Sequence, residues 1–336
     1  MARATLQLKL TKGDLIGGKY VVVKKLGEGG CGSVFRCKPA KDSDPEVAVK
    51  VLENASDLAR FKREAKVLGS IRNQHVIKLI DRGTHDGHPY LVLEFMEGGS
   101  LRDLMDERGK LPVEEAAWVL VQAVRGLRAS RTVHRDLKPE NLLVGRGVNG
   151  QRGLSLVIGD AKKGAVIKVA DFGLAKHHDP TATRLTNTGQ VMGTPVYMSP
   201  EQCRNTRTVS FRSDIYSLGV IFFEMVAGKA PFDANNAYDI MAKHCNDEPK
   251  FPRMDARVKA VCEKCLAKSP KDRYLSLYAL ESDLAKIAGL GDPEPDTPSV
   301  TWIVILVGLA VLGGLGWLMH EQLWEMLSPY WRNFTR

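Results

Sequence analysis

Apolar and polar positions follow two different periods along this chain, and the change of period divides it. In the first third, residues 20–26, 33–38 and 47–52 are short runs rich in β-branched side chains and broken by glycine, and residues 76–81 and 90–95 repeat the pattern. Such runs predict strands. Among them only residues 58–71 space their apolar side chains as a helix does, so the expectation is a small β-rich lobe with one helix packed on it. From Ser100 onward the period lengthens: residues 101–108, 113–130, 213–227, 237–244, 256–267 and 275–287 all place apolar residues three or four apart. A larger, helical lobe is predicted to follow, giving an α+β chain of two lobes. Between Leu142 and Ala170 lies a glycine-rich stretch (Gly145, Gly147, Gly150, Gly153, Gly159, Gly164) around the apolar patch 154–158, which reads as a loop or an added hairpin.

The pattern changes again near the end. Asp292-Pro293-Glu294-Pro295-Asp296-Thr297-Pro298 has the acidic, proline-rich composition of an extended linker. Residues 300–319 then form an uncharged run that as a helix would span about 30 Å, the thickness of a bilayer core. Trp302 and Trp317 lie near its ends, where amphipathic rings favour the interface, and Ala310 with Gly314 offers a small-residue face. A buried core helix is the competing reading, but the run has no polar face.

Composition narrows the partners. Across 336 residues the net charge is +9, with Lys and Arg interleaved among Asp and Glu rather than gathered in a patch, so a nucleic-acid partner is not expected. Six cysteines are too sparse for a secreted disulfide framework. Cys262 and Cys265 form a C-x-x-C without a second pair or a nearby His, and read as two ordinary thiols on a helix. The first residues, Met1-Ala2-Arg3-Ala4-Thr5, carry no secretory signal pattern.

Four segments carry candidate chemistry. Leu26-Gly27-Glu28-Gly29-Gly30-Cys31-Gly32-Ser33-Val34 holds G-x-G-x-x-G between two predicted strands, where glycines let backbone N–H groups approach phosphates and Val34 could cover a purine. Dinucleotide folds match the spacing too, although they require a helix directly after it. Val47-Ala48-Val49-Lys50 places a lysine in an apolar strand, where it needs an anionic partner. Glu64 is the best-placed carboxylate, because Phe61, Ala65 and Leu68 put the apolar face of its helix beside it; a surface Glu on a charged helix is the alternative. His134-Arg135-Asp136-Leu137-Lys138-Pro139-Glu140-Asn141 supplies an acid, a cation and a neutral oxygen ligand, the inventory of phosphoryl transfer. Lys168-Val169-Ala170-Asp171-Phe172-Gly173 adds a second metal-binding carboxylate after an apolar strand.

The ordered set resembles the eukaryotic-type Ser/Thr protein kinases over about residues 20–287, and within them the bacterial membrane-anchored kinases, through Gly13-Asp14-Leu15-Ile16-Gly17-Gly18-Lys19-Tyr20 and Met198-Ser199-Pro200-Glu201-Gln202. The resemblance implies the bilobal kinase fold, ATP as cofactor with Mg2+ (or Mn2+), and protein substrates carrying Ser or Thr. It implies that Gly27, Gly29, Gly32, Val34 and Ala48 line the nucleotide site and that Lys50 holds the α- and β-phosphates and pairs with Glu64. Adenine would bond the backbone at Glu94 and Met96, with Leu93 at the rear of the pocket. Asp136 would orient the substrate hydroxyl, Lys138 would contact the γ-phosphate, and Asn141 and Asp171 would bind the metal. Glu201 pairing with Arg273, and Asp214 tying the helical lobe to the catalytic loop, are implied structural roles. Arg135 beside Asp136 implies control by a phosphorylated activation segment. There Thr186 or Thr188 is the expected acceptor, ahead of Thr181 and Thr183, while Thr194 is expected to contact Asp136 and Lys138. A homodimer would serve autophosphorylation. Two features depart from the family: Cys31 at the tip of the glycine loop, and a span from Asn141 to Asp171 longer than usual by roughly seventeen residues.

The expected division is therefore an extension (1–19), the β-rich lobe (20–96), the helical lobe (97–288, with an insertion at about 145–165), the linker (289–299), a single-pass membrane helix (300–319) contacting lipid, and a short tail (320–336). Flanking charge opposes the topology, since Lys286 stands before the run and Arg332 and Arg336 after it. A kinase needs cytosolic ATP, so the kinase domain is expected on the cytoplasmic side. Leu323, Trp324, Leu327, Trp331 and Phe334 would lie along the membrane surface. The rival reading is a pseudokinase scaffold that binds partners without transferring phosphate; Lys50, Asp136, Asn141 and Asp171 argue against it.

Overall fold

The computed structural model describes residues 9–29, 32–41, 44–53, 57–145, 165–172, 195–204 and 208–293. The chain divides into two units, Met1–Asp292 and Pro293–Arg336. Apart from Pro293 the second lies outside the described residues, and with it the run 300–319; no helix among the described residues is long and apolar enough to cross a membrane.

The first unit opens with one antiparallel sheet. Its strands are β1 (Leu15–Ile16), β2 (Tyr20–Gly29), β3 (Gly32–Pro39), β4 (Val47–Leu52), β5 (Leu79–His85) and β6 (His88–Glu94), in the order β1-β2-β3-β4-β6-β5. β2 shifts register against β3 twice, between Val22 and Lys24 and between Lys25 and Gly27, and such bulges bend a strand and increase its twist. The two-residue period of β4 explains both faces of the sheet. Val47, Val49 and Val51 join Ile16, Tyr20, Val22, Phe35 and Tyr90 in a small outer core. Ala48, Lys50 and Leu52 face the other way, where α1 (Leu58–Ser70) inserts Phe61, Ala65 and Leu68 into a core continuous with the helical lobe. A strand starting at Val76 was expected, yet β5 starts at Leu79. The backbone just before it is claimed by another strand: Val169 N–H donates to His75 O at 2.9 Å and Ile77 N–H to Val169 O at 3.0 Å.

The helical lobe contains α2 (Leu101–Arg108), α3 (Val113–Ser130), α4 (Pro200–Arg204), α5 (Phe211–Ala227), α6 (Ala237–Asn246), α7 (Ala256–Cys265) and α8 (Leu277–Ile287). α5 starts two residues before the apolar pattern does, because Ser210 and Ser213 cap it reciprocally. It is buried on all sides from Ser213 to Phe223, which makes it the axis of the lobe. Gly219 allows α7 to approach: a Cβ there would lie 2.4 Å from Cys265 Cβ. The C-x-x-C thus serves packing, with both thiols buried on α7 and burial pushing Cys265 up to about 12. α8 is tied to α3 by buried Glu281, which accepts from Arg125 Nε at 2.7 Å and from Arg128. A short antiparallel pair, β7 (Leu142–Val144) and β8 (Ile167–Val169), is bridged to Ser100 and Val76, and the insertion between them, 146–164, lies outside the described residues.

His244 on α6 is fully buried under this lobe, 2.8 Å from the Tyr216 hydroxyl through Nδ1 and edge-on to Phe232, with Lys268 Nζ 3.0 Å from its carbonyl. Burial, aided by the Lys268 charge, lowers its pKa from 6.5 to about 4. As pH falls from 6.5 to about 4 the unfolded chain therefore takes up a proton that the folded chain refuses, and stability drops across that window, by about 3 kcal/mol from this group. Denaturant unfolding of wild type and His244→Gln at pH 7 and pH 4.5 checks this: the variant should lose less stability on acidification, and equal losses would contradict it.

Candidate active site

The cleft between the lobes is built outward from β4. Across the sheet, Gly27 pairs with Val34, Val34 with Lys50, and Ala48 with Leu93, so the predicted nucleotide-site residues lie in adjacent register positions on β2, β3, β4 and β6. Gly29 pairs with Gly32 where β2 turns into β3. Gly32 has φ +139°, and a Cβ there would lie 1.9 Å from Val51 O, so no larger residue fits. Gly30 and Cys31 lie outside the described residues. β6 ends at Glu94, whose carboxylate is occupied: Oε1 accepts Lys78 N–H and Lys168 Nζ, each at 2.7 Å. Met96 follows, packed in the core.

Lys50 is the junction of three segments. Its Nζ donates at 3.0 Å to both oxygens of Glu64 on α1 and at 3.0 Å to Asp171 Oδ1 beyond β8. Lys50 and Glu64 are only 9% and 3% exposed. Burial alone would depress the ammonium, but the carboxylates of Asp171 and Glu64 outweigh it and hold the pKa above that of a free lysine. Burial likewise raises the Asp171 carboxyl, and the Lys50 charge outweighs that effect and lowers it. On Glu64 the balance runs the other way: burial raises its carboxyl, against the lowering effect of the Lys50 charge.

Opposite lies the loop from His134 to Asn141. Asn141, in the turn Pro139–Asn141, donates through Nδ2 to Asp136 O at 2.7 Å; its Oδ1 makes no hydrogen bond among the described residues. Lys138 Nζ is 3.3 Å from Asp136 Oδ2, and both side chains are well exposed. Backbone strain lies beside these groups: Arg135 has φ +69° and Asp171 φ +57°, left-handed conformations that non-glycine residues rarely adopt. What holds Arg135 there is Asp214, buried on α5, whose Oδ2 accepts His134 N–H at 2.8 Å and whose Oδ1 accepts Arg135 N–H at 2.9 Å. Burial pushes the Asp214 carboxyl up to about 6 despite these two donors. Gln202 Nε2 donates to Arg135 O at 2.7 Å from the other side.

Behind the loop, Arg273 is completely buried and fully engaged. It makes paired bonds to Glu201 at 2.8 and 2.9 Å and donates to the carbonyls of Ala267, Lys268 and Arg212. Burial would raise the Glu201 carboxyl, but Arg273 holds it below its ordinary value. Thr186 and Thr188 lie outside the described residues, as do Thr181, Thr183 and Thr194. Sequence reasoning gave no role to the His134 side chain, which bonds Ala170 O through Nε2 at 3.0 Å and lies 5.0 Å from the Phe172 ring, joining the catalytic loop to the Asp171 segment. It also missed the Lys168–Glu94 pair. Both involve residues quoted in motifs, but neither spacing reveals which partner a side chain meets.

The Lys50–Glu64 pair generates a test. Lys50→Met leaves a buried, unpaired carboxylate and should destabilise the chain by roughly 3 kcal/mol, while adding Glu64→Gln should recover more than half of that loss. Denaturant unfolding of the two single variants and the double variant checks it, and strictly additive losses would contradict the pairing.

Comparison with known proteins matches this architecture. The protein kinase domain family matches residues 20–284, a span that includes both lobes and every described residue of the cleft. The serine/threonine-protein kinase PknL of Mycobacterium tuberculosis is 34% identical over 301 residues, covering 85% of this chain and 70% of its own length. PrkC of Bacillus subtilis is 32% identical over 287 residues, 81% of this chain and 41% of that protein. A probable serine/threonine-protein kinase of Clostridium perfringens is 32% identical over 288 residues, 82% of this chain, and the chain spans only 39% of its length. A glycine-lined strand pair, a lysine bridged to two carboxylates, and a strained loop carrying Asp136 thus occur together in a chain that belongs to the protein kinase family.

Proposed function

We propose that this chain is a serine/threonine protein kinase that transfers the γ-phosphate of ATP to protein hydroxyls, works with Mg2+, and is held at a membrane by residues 300–319. The observation that carries the catalytic reading is the meeting of Lys50, Glu64 and Asp171 across the cleft from Asp136, Lys138 and Asn141. The three relatives are named as serine/threonine kinases, which supports hydroxyl substrates.

The residues present fit a nucleotide with a hard cation. Asn141 keeps its amide oxygen uncommitted among the described residues, and the Asp171 side chain is 43% exposed although it pairs with Lys50. Two oxygen donors of this kind suit Mg2+, which retains phosphate and water ligands beside one or two from protein. When bound, Mg-ATP supplies the transferable phosphoryl group and a metal that neutralises its charge. Lys50, fixed by Glu64, orients phosphates by charge and direction. Asp136 orients the substrate hydroxyl and accepts its proton, and Lys138 places a positive charge next to that carboxylate.

Control of this activity follows from Arg135. Its guanidinium has no ion-pair partner among the described residues, and a phosphate on Thr186 or Thr188 would supply one. Autophosphorylation in a homodimer would deliver it. The membrane tether rests on the apolar run, and the absence of a charged side chain in it is the supporting feature.

In a transfer assay with Mg-ATP and a threonine peptide, Asp136→Asn should reduce kcat by at least about 100-fold while nucleotide binding persists. Equal rates would refute transfer through this loop. Mass spectrometry of active protein should find phosphate on Thr186 or Thr188 and none in the Asp136→Asn protein; both threonines unmodified in active protein would remove the proposed control. For the tether, the full chain should sediment with membranes and the variant Val304→Arg, Leu309→Arg should not, and identical partitioning would count against a span at 300–319.

A further inference from the structure

A guanidinium lies beside the catalytic loop among more carboxylates than it can neutralise. Arg102, in the first turn of α2, donates through Nη2 to Glu224 Oε1 at 2.9 Å and to the Tyr197 hydroxyl. Its Nη1 is 3.4 Å from Asp106 and its Nε 3.7 Å from Glu140. Tyr197 completes the cluster by donating to Glu224 Oε2 at 2.6 Å. One cation therefore faces three carboxylates, contributed by α2, the catalytic loop and α5. The two that matter differ in exposure: the Glu224 side chain is 12% exposed and the Glu140 side chain 48%.

The location makes this more than a brace between helices. Glu140 sits in the turn between Lys138 and Asn141, two residues from the catalytic lysine. Tyr197 ends the turn Pro195–Tyr197, just ahead of Glu201 and of Gln202, which holds the Arg135 carbonyl. A peptide bringing its hydroxyl to Asp136 has this cluster at its side. An unoccupied pair of carboxylates there would attract a substrate Arg or Lys, because opposite charge at partial burial selects a partner strongly.

We infer that Arg102 is a specificity-determining residue: its guanidinium fills the acidic seat formed by Glu140 and Glu224, so a basic side chain near the acceptor hydroxyl finds that seat taken. The substrate class that follows is peptides without a required arginine or lysine beside the Ser or Thr. A substrate cation could enter only by displacing Arg102 from Glu224, which would cost a partly buried, charge-assisted hydrogen bond. The inference deepens the kinase reading and depends on it only for its activity readout.

The test uses the full chain and variants Arg102→Met, which keeps the apolar stem, and Arg102→Gln, which can still donate to Tyr197. Threonine peptides carry one Arg, or Gln in its place, at each of the five positions on either side of the acceptor. For wild type the Arg:Gln ratio of kcat/KM should stay within about threefold at every position. In the Arg102 variants the ratio should rise about tenfold at one or two positions, and adding Glu140→Gln should reverse that rise. A purely structural role for Arg102 would lower kcat/KM for all peptides alike and leave the ratios unchanged, which would overturn the inference. Anisotropy with the same peptides carrying Ala at the acceptor gives a readout independent of transfer: the variants should bind the Arg peptide about tenfold more tightly than wild type. Discrimination in binding without transfer by any protein would defeat the kinase reading and leave this inference standing. Transfer without any change in ratio or binding would do the reverse.

Discussion

The Lys50 ammonium is the constraint from which the cleft is built. A lysine on the cleft face of a buried strand is tolerated only if carboxylates reach it, and the two that do come from different parts of the chain, Glu64 on α1 and Asp171 beyond β8. Meeting that requirement places α1 against the sheet and draws the Asp171 segment of the helical lobe up to it. The same alternation that points Lys50 inward sends Val47, Val49 and Val51 into the outer core. One strand thus secures the sheet through one face and organises the chemistry through the other.

The helical lobe meets the cleft through a second buried charge. Asp214 lies on the axial helix α5, and its two oxygens hold the His134 and Arg135 backbone N–H groups, which keeps Arg135 in a left-handed conformation. Such a conformation costs on the order of 1–3 kcal/mol and persists only where surrounding bonds impose it. Gln202 grips the Arg135 carbonyl, and Gln202 follows Glu201, which Arg273 fixes from behind. The geometry of this loop is therefore set by bonds from the packed helices α4 and α5. Because α5 is buried along most of its length, the loop inherits the rigidity of the lobe's core.

Much of this was legible in the residue order, for identifiable reasons. Period two over residues 47–52 and helical period over 101–108 and 113–130 mark elements whose burial is decided locally, and β4, α2 and α3 carry those bounds. The motifs pointed to Lys50, Glu64, Asp136, Asn141 and Asp171 through their resemblance to protein kinases, which implies a role for each. Long-range backbone pairing was not legible: the apolar residues from Val76 look like strand, yet their N–H and C=O groups pair with β8, far along the chain. Nor could the sequence disclose the Arg102 cluster. An arginine in a charged helix looks solvated until folding brings Glu140, Tyr197 and Glu224 to it.

The charges of this protein separate into two classes, and the separation explains how one fold is both rigid and reactive. Arg273, Glu201, Glu281 and Asp214 are buried, and each has its hydrogen-bonding capacity engaged by protein partners. A buried charge with an open site would demand a partner at once, so these groups serve architecture. Asp136 and Lys138 are exposed, and Asn141 keeps an oxygen uncommitted among the described residues. They can accept a ligand without first breaking a structural bond. Lys50 belongs to both classes, since Glu64 holds it from the buried side while its bond to Asp171 lies on the more exposed side. An anion bound there would exchange one partly buried ion pair rather than rearrange the core.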